Sequence, residues 1–421
     1  MVARSKNPWY GWLVVLLILQ GRGIAQADRA AEPPAVSGRD QTEMHKGVHF
    51  NLERLHQIPE MFATEEFPLE GLKSFFYRGL DYQGRATRVF AFYGVPADSQ
   101  EKKLPAMVLI HGGGGTAFAD WVRLWNSRGY AAIAMDLCGC VPDGSHGKWR
   151  RHDLGGPPGW DASFSQLDNP IEEQWTYQAA GAVVLAHTLI RSFSEVDADR
   201  IGVTGVSWGG YLTCIVAGVD DRFRFASPVY GCGYLGDNSV WLPKLEEIGT
   251  QQAKLWLAQW DPSNYLPQAK MPMLWLNGTN DFAYPMDSWQ KSYLLPAGPR
   301  TLCLRVRMPH GAPAGQNAPE VCVFAESVLR QGKPLPRIVD QGISGTEVWA
   351  TFESEEPVAK AELTFTPDSG KWSERKWDVA PAEIDEAAHR IRAQIPGAAK
   401  VLYLNLFDDR DCVVSTRHVE R

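Results

Sequence analysis

Residues 201–213 read RIGVTGVSWGGYL. Ile201–Val206 has the apolar character of a strand buried on both faces, and from Trp208 onward the spacing turns helical. Ser207 stands at the change, with Gly205 and Gly209 two residues to either side. A side chain on so sharp a turn projects away from both elements. The flanking glycines remove the Cβ atoms that would collide with strand and helix. The helix that follows aims its first amides at the serine, a favourable place for developing negative charge. Ser207 is therefore a candidate nucleophile.

Other strands lie to either side of this one. LKSFFYRGL (72–80) and ATRVFAFYGVP (86–96) come first, then the apolar runs PAMVLIHGG (105–113) and AAIAMDLCG (131–139). Downstream are FASPVYG (225–231), PMLWLNG (272–278) and TLCLRVRM (301–308). Helical spacing separates them at 120–130, 171–193 and 318–331. Strands alternating with helices predict an α/β fold, a mainly parallel central sheet flanked by helices. The character changes after GKPLPR (332–337). TEVWATFES, AKAELTFTP, RKWDVAP, HRIRAQIP and AKVLYLNLFDD are short and alternating, with turn residues between. They predict a small antiparallel, Ig-like β-sandwich. The expected division is a catalytic unit over 71–335 and the sandwich over 336–421, with a leader and extension over 28–70.

Residues 1–27 read as an export signal. Arg4 and Lys6 precede WLVVLLIL (12–19), and GIAQA (23–27) supplies the small residues of a cleavage site. A bilayer span needs about 20 apolar residues, and Arg22 interrupts this run. The expectation is a secreted or periplasmic protein with no stable membrane insertion after cleavage. A net charge of −7 without a basic run leaves nucleic acid no electrostatic footprint. The seven cysteines fix no disulfide pairing, and Cys138-Gly-Cys140 lacks a second ligand pair at zinc spacing. They are read as small buried side chains, with no metal expected.

A serine hydroxyl needs a base to become a nucleophile. WLNGTNDFAYP presents Asp281 just beyond one buried strand, and RVRMPHGAP presents His310 just beyond the next. Open α/β sheets build their sites at the carboxyl ends of strands, where Ser207, Asp281 and His310 all fall. Asp261 and Asp287 are rival acids, but neither directly ends a strand. HGGGG (111–115) follows an earlier strand, and its glycines let backbone amides approach a ligand oxygen. The amides of Gly113 and Trp208 are the candidate oxyanion donors, although any glycine of 112–115 could serve. His111 is expected to orient that loop.

HGGGG, RIGVTGVSWGGY, LNGTNDFAYP and MPHG together resemble the α/β-hydrolase superfamily. Over about residues 70–335 the chain is similar to the branch holding acetyl xylan esterases, dienelactone hydrolases and prolyl-oligopeptidase catalytic domains. It departs from two of these patterns. Acetyl xylan esterases commonly carry glutamine where this chain has Trp208, and dienelactone hydrolases usually carry a cysteine where it has Ser207. The resemblance implies a Ser-His-Asp triad acting through an acyl-enzyme, with no cofactor. The expected function is a secreted esterase taking a small ester or acetylated carbohydrate. A general carboxylesterase or lactone hydrolase is the alternative, followed by a non-catalytic glycan-binding protein on the same scaffold, with a peptidase ranked low. Among the sixteen tryptophans, Trp149, Trp160 and Trp241 are candidate substrate contacts together with Tyr234. His146 and His152 are read as surface residues, and Arg150 and Arg151 as a solvated pair. The sandwich is expected to pack against the catalytic unit.

Overall fold

The structure, a computed structural model, describes residues 47–97 and 101–421. The expected export signal and the first part of the expected leader lie outside the described residues. No described helix is long and apolar enough to cross a membrane.

A nine-stranded sheet organises the part of the chain from Met61 to Arg305. Its strands are β1 (Met61–Ala63), β2 (Leu72–Arg78), β3 (Arg88–Gly94), β4 (Leu104–Ile110) and β5 (Ala131–Met135). After a two-stranded hairpin, β6 (Cys140–Ser145) and β7 (Lys148–Arg151), come β8 (Val196–Val206), β9 (Phe225–Val229), β10 (Met273–Gly278) and β11 (Arg300–Arg305). The spatial order is β1-β2-β3-β5-β4-β8-β9-β10-β11. All pairs from β5 to β11 are parallel, whereas β1, β2 and β3 join antiparallel. Every residue of β4 is buried, as a strand covered on both faces requires. The helix Trp175–Arg191 is buried along all but its last residue. A helix apolar all round must be covered on its outer side too. The covering chain is the segment ahead of β1: Phe50 stacks on Tyr177 at 4.7 Å, and Leu55 O accepts from the Thr188 hydroxyl at 2.8 Å. The extension read ahead of residue 71 thus contributes a strand to the sheet and a cover to its central helix.

The C-terminal strands are β12 (Arg337–Ser344), β13 (Glu347–Glu353), β14 (Val358–Thr366), β15 (Asp378–Pro381), β16 (Glu383–Asp385), β17 (Arg390–Gln394), β18 (Val401–Asp408), β19 (Val413–Ser415) and β20 (Val419–Glu420). They form two antiparallel sheets, β12-β13-β17-β16 and β15-β14-β18-β19, with β20 also on β18. Val348, Phe352, Leu363, Ile391, Leu404 and Leu406 form the core between them. β11 would leave the large sheet with an open edge, a template for unwanted pairing. Side chains of the C-terminal sheets occupy it instead. Leu304 N donates to Ser415 Oγ at 2.8 Å, and Leu304 O accepts from Asn405 Nδ2 at 3.2 Å.

A buried charge network ties the helix Trp175–Arg191 to the end of the helix Trp208–Val219. His187 Nδ1 lies 2.9 Å from Asp220 Oδ2, and Arg222 grips the same carboxylate at 2.7 Å. Burial, outweighing the contact with Asp220, pulls the His187 pKa from 6.5 down to about 4. Burial pushes Asp220 up, but hydrogen bonds from Arg222 and His187 prevail and hold it below the usual carboxylate range. His187 is thus neutral when folded, whereas the unfolded ring takes a proton below pH 6.5. Stability contributed by neutral His187 is therefore lost as pH falls from about 6.5 to about 4, by up to about 3 kcal/mol. Melting temperature measured against pH is expected to fall over that range, and more shallowly in His187→Gln.

Candidate active site

The turn at Ser207 has φ 58° and ψ −121°, a conformation that costs a non-glycine residue on the order of 1–3 kcal/mol. Packing over-determines it. A Cβ on Gly205 would strike the Gly209 carbonyl, and one on Gly209 would strike the carbonyls of Ile110 and His111. Ser207 N donates to Val229 O at 2.9 Å, and Tyr211 N closes the first helical turn on Ser207 O at 2.9 Å. The hydroxyl is left to project from the sheet's carboxyl edge.

His310, in the loop after β11, meets it there. Its Nε2 lies 2.8 Å from Ser207 Oγ, and its Nδ1 lies 2.6 Å from Asp281 Oδ2. Asp281 is 2 % exposed. Its other oxygen accepts from the amides of Ala283 and Tyr284 at 2.9 and 2.8 Å, which fixes the carboxylate plane. The rival acids have other partners. Asp261 accepts from the amides of Tyr234, Leu235 and Ser263, and Asp287 binds the Asn238 side chain. Asp281 alone of the three reaches the imidazole.

The glycine loop after β4 is held by His111. Leu137 N donates to its Nε2 at 3.0 Å, so Nε2 must be the bare nitrogen and Nδ1–H must donate to Gly112 O, 2.7 Å away. Burial lowers the His111 pKa, which favours the neutral ring that this arrangement requires. Gly112 O also accepts from Gly115 N at 3.1 Å. The Gly114 carbonyl faces the hairpin, accepting from Gly147 N at 2.7 Å and from the Trp149 indole at 2.8 Å. Among the described residues the Gly113 amide has no acceptor. The Trp208 amide, at the first position of its helix, has no intrahelical one.

A cleft of about 930 Å³ opens over Ser207. Trp149, Trp160, Trp241, Phe118, Val240 and Phe282 supply its apolar walls. Trp160 stacks on Trp208 at 5.1 Å, and Trp241 meets Trp208 edge-on at 4.8 Å. The space beside Gly113 is filled by the Trp160 and Trp208 rings, so no side chain fits at that position. Tyr234 is not among the lining residues, a correction to its place among the substrate contacts. Its amide serves Asp261 and its ring lies under Lys291, 5.8 Å from the ammonium. Residues 138–164, an insertion after β5, are partly ordered as the β6–β7 hairpin.

Among the histidines and arginines of that insertion, His146, Arg150 and Arg151 are exposed as expected and His152 is not. His146 is exposed but lines the cleft beside Gly114. His152 is half-buried against Phe76, 5.0 Å away, and burial lowers its pKa. Arg150 pairs with Asp143 and Glu66, while Arg151 donates to the carbonyls of Cys138 and Gly156 and lines the cleft. All seven cysteines are free; Cys138 and Cys140 border the cleft, and Cys138 and Cys322 are half-buried. Phe282, 54 % exposed and 4.8 Å from the His310 ring, is a cleft residue that sequence reading missed. Its position next to the candidate acid was the available signal. Among the described residues no group of three or more His, Cys, Asp or Glu side chains could hold a metal ion.

Residues 49–240 match the acetyl xylan esterase (AXE1) family. Among solved structures, an acetyl xylan esterase from Paenibacillus sp. R4 superposes with a TM-score of 0.53 at 22% identity. The match covers 69% of this chain and 100% of that one. Among curated proteins, "Probable dipeptidyl-peptidase 5" of Aspergillus niger is 25% identical over 231 residues, 52% of this chain and 30% of that protein. "Dipeptidyl-peptidase 5" of Porphyromonas gingivalis is 25% identical over 213 residues, 44% of this chain and 27% of that protein. The chain thus spans under a third of the length of these curated relatives. The fold is that of the α/β hydrolases, and the family match with its hydrolase neighbours supports a serine hydrolase.

A fluorophosphonate is expected to label Ser207, read by mass spectrometry. Asp281→Asn, which leaves His310 with the wrong tautomer, is expected to slow labelling by roughly 10³–10⁴. Asp287→Asn should change the rate by no more than about threefold, since that carboxylate serves the Asn238 side chain and the Ser288 amide rather than the imidazole.

Proposed function

We propose that this α/β-hydrolase chain, matched over residues 49–240 by the acetyl xylan esterase family, is a secreted serine esterase that removes short acyl groups, acetyl above all, from carbohydrate. The observation that carries the reading is the unbroken contact chain from Ser207 through His310 to Asp281, at 2.8 and 2.6 Å. Ser207 Oγ attacks the ester carbonyl as its proton passes to His310 Nε2, and Asp281 holds the ring and stabilises its charged form. The amides of Gly113 and Trp208 donate to the oxyanion, each such donor contributing roughly 10²–10³ in turnover. His310 then protonates the departing alcohol. A water molecule, giving its proton to the same nitrogen, clears the acyl-enzyme and releases the acid. The export signal read at residues 1–27 supports action outside the cytoplasm, where such substrates occur.

Two features favour this substrate class. The indoles of Trp160, Trp208 and Trp241 pack as one body beside the nucleophile, and a rigid wall there leaves room for a short acyl group. The rest of the cleft is wide and aromatic, suited to the apolar faces of sugar rings. The Paenibacillus neighbour's designation as an acetyl xylan esterase agrees with it.

The chain is expected to hydrolyse 4-nitrophenyl acetate and to release acetate from acetylated xylo-oligosaccharides, with both activities lost in Ser207→Ala. Trp160→Ala is expected to raise the hexanoate-to-acetate ratio of kcat/KM by at least about tenfold as the wall recedes. Faster turnover of aminoacyl 4-nitroanilides than of acetyl esters would instead favour the peptidase activity for which the curated relatives are named.

A further inference from the structure

The loops that carry Asp281 and His310 are fastened to the C-terminal sheets by a closed set of hydrogen bonds. Asn280, the residue before the acid, points its side chain away from the cleft towards the turn 372–375. Its Nδ2 lies 3.2, 3.2 and 2.7 Å from the carbonyl oxygens of Trp372, Ser373 and Arg375. Carbonyl oxygens only accept, so the amino end of the amide must face them, and Oδ1 accepts from the Thr279 hydroxyl at 2.9 Å. The same hydroxyl accepts from Arg307 N at 3.0 Å. Arg307, three residues before His310, has a φ of 51°, and its guanidinium donates to Trp377 O at 2.9 Å. The acid loop and the base loop are thus bonded to each other through Thr279 and to one rigid segment through Asn280 and Arg307.

That segment is itself immobilised. Trp372 and Trp377 are buried, stack at 6.4 Å and pack on His418 and Tyr403 of the C-terminal sheets. Gly278 completes the arrangement, because a Cβ there would press on Met308 O at 2.6 Å and force the two loops apart. No backbone ladder does this work: β10 and β11 pair only as far as Gly278 and Arg305, and both site residues lie beyond.

Resting on the esterase reading above, we propose that the C-terminal sheets position the acid and the base, with Asn280 and Arg307 as the positioning residues. The 372–377 segment is the template against which Asp281 and His310 are set in register. Edge protection of β11 is then only part of the role of this module.

The test compares full-length variants by steady-state kinetics on 4-nitrophenyl acetate, by fluorophosphonate labelling rate and by melting temperature. Asn280→Ala is expected to lower kcat and the labelling rate at least about tenfold, with KM held within about twofold. Asn280→Asp, equal in size but unable to donate, should be no better than Ala. Arg307→Ala should act in the same direction, and the double variant should fall short of the product of the single effects, as residues of one network do. Ile391→Val, which loosens the core of the C-terminal sheets without touching the segment, should lower the melting temperature and leave kcat unchanged. The proposal is overturned if Asn280→Ala keeps wild-type kcat while folded, or if Ile391→Val lowers kcat equally. Labelling of Ser207 reads nucleophile activation whichever ester is natural. Wild-type labelling without acetate release would count against the substrate assignment and leave the labelling comparison to decide the positioning role.

Discussion

Backbone held against backbone at the end of β8 is the constraint from which the site is built. Ser207 can keep a φ of 58° only because strand and helix approach so closely that Gly205 and Gly209 must lack side chains. The cost of that turn, on the order of 1–3 kcal/mol, is small beside what a sheet buried on both faces gains by excluding water. In return the hydroxyl sits where the glycine loop, the acid loop and the base loop all end. A relaxed turn would draw the hydroxyl back towards the sheet and away from His310.

Around that point the molecule uses neutral rings and fixed carbonyls to hold its loops. His111, kept neutral by burial, bridges the glycine loop to Leu137. The hairpin β6–β7 reaches over the cleft and takes the Gly114 carbonyl with both an amide and an indole. The indoles of Trp160, Trp208 and Trp241 close the nucleophile's flank by packing on one another. Each contact joins a part of the site to an element distant in the chain, so the cleft is a property of the assembled fold.

Much of the scaffold could be read from residue patterns. Fully apolar runs such as Ala106–Ile110 become central strands because only a strand covered on both faces tolerates that composition. Alternation after residue 337 likewise becomes two facing sheets. Sequence order also placed Ser207, Asp281 and His310 beyond the ends of what prove to be β8, β10 and β11, where the structure finds them in contact. Reading failed where a side chain's neighbours are non-local. Tyr234 follows a strand end as the site residues do, yet its backbone is drawn off by Asp261. His152 lies in a polar insertion, yet Phe76 buries it. Phe282 drew no notice, although its ring lies against the imidazole.

The sequence by itself determined what depends on local sterics and periodicity. It specified which segments are strands, where the glycines permit a sharp turn, and which polar residues fall at the carboxyl ends of the sheet. Tertiary structure alone decided which tautomer His111 adopts and where the Tyr234 backbone is drawn. It also decided how the indoles of Trp160, Trp208 and Trp241 pack on one another and which carbonyls receive Asn280. The physical reason is the reach of the forces involved. Backbone sterics act over a few residues and leave a mark in the sequence, whereas hydrogen bonds and ring contacts act over a few ångströms between segments a hundred residues apart, and only the packed chain brings those together.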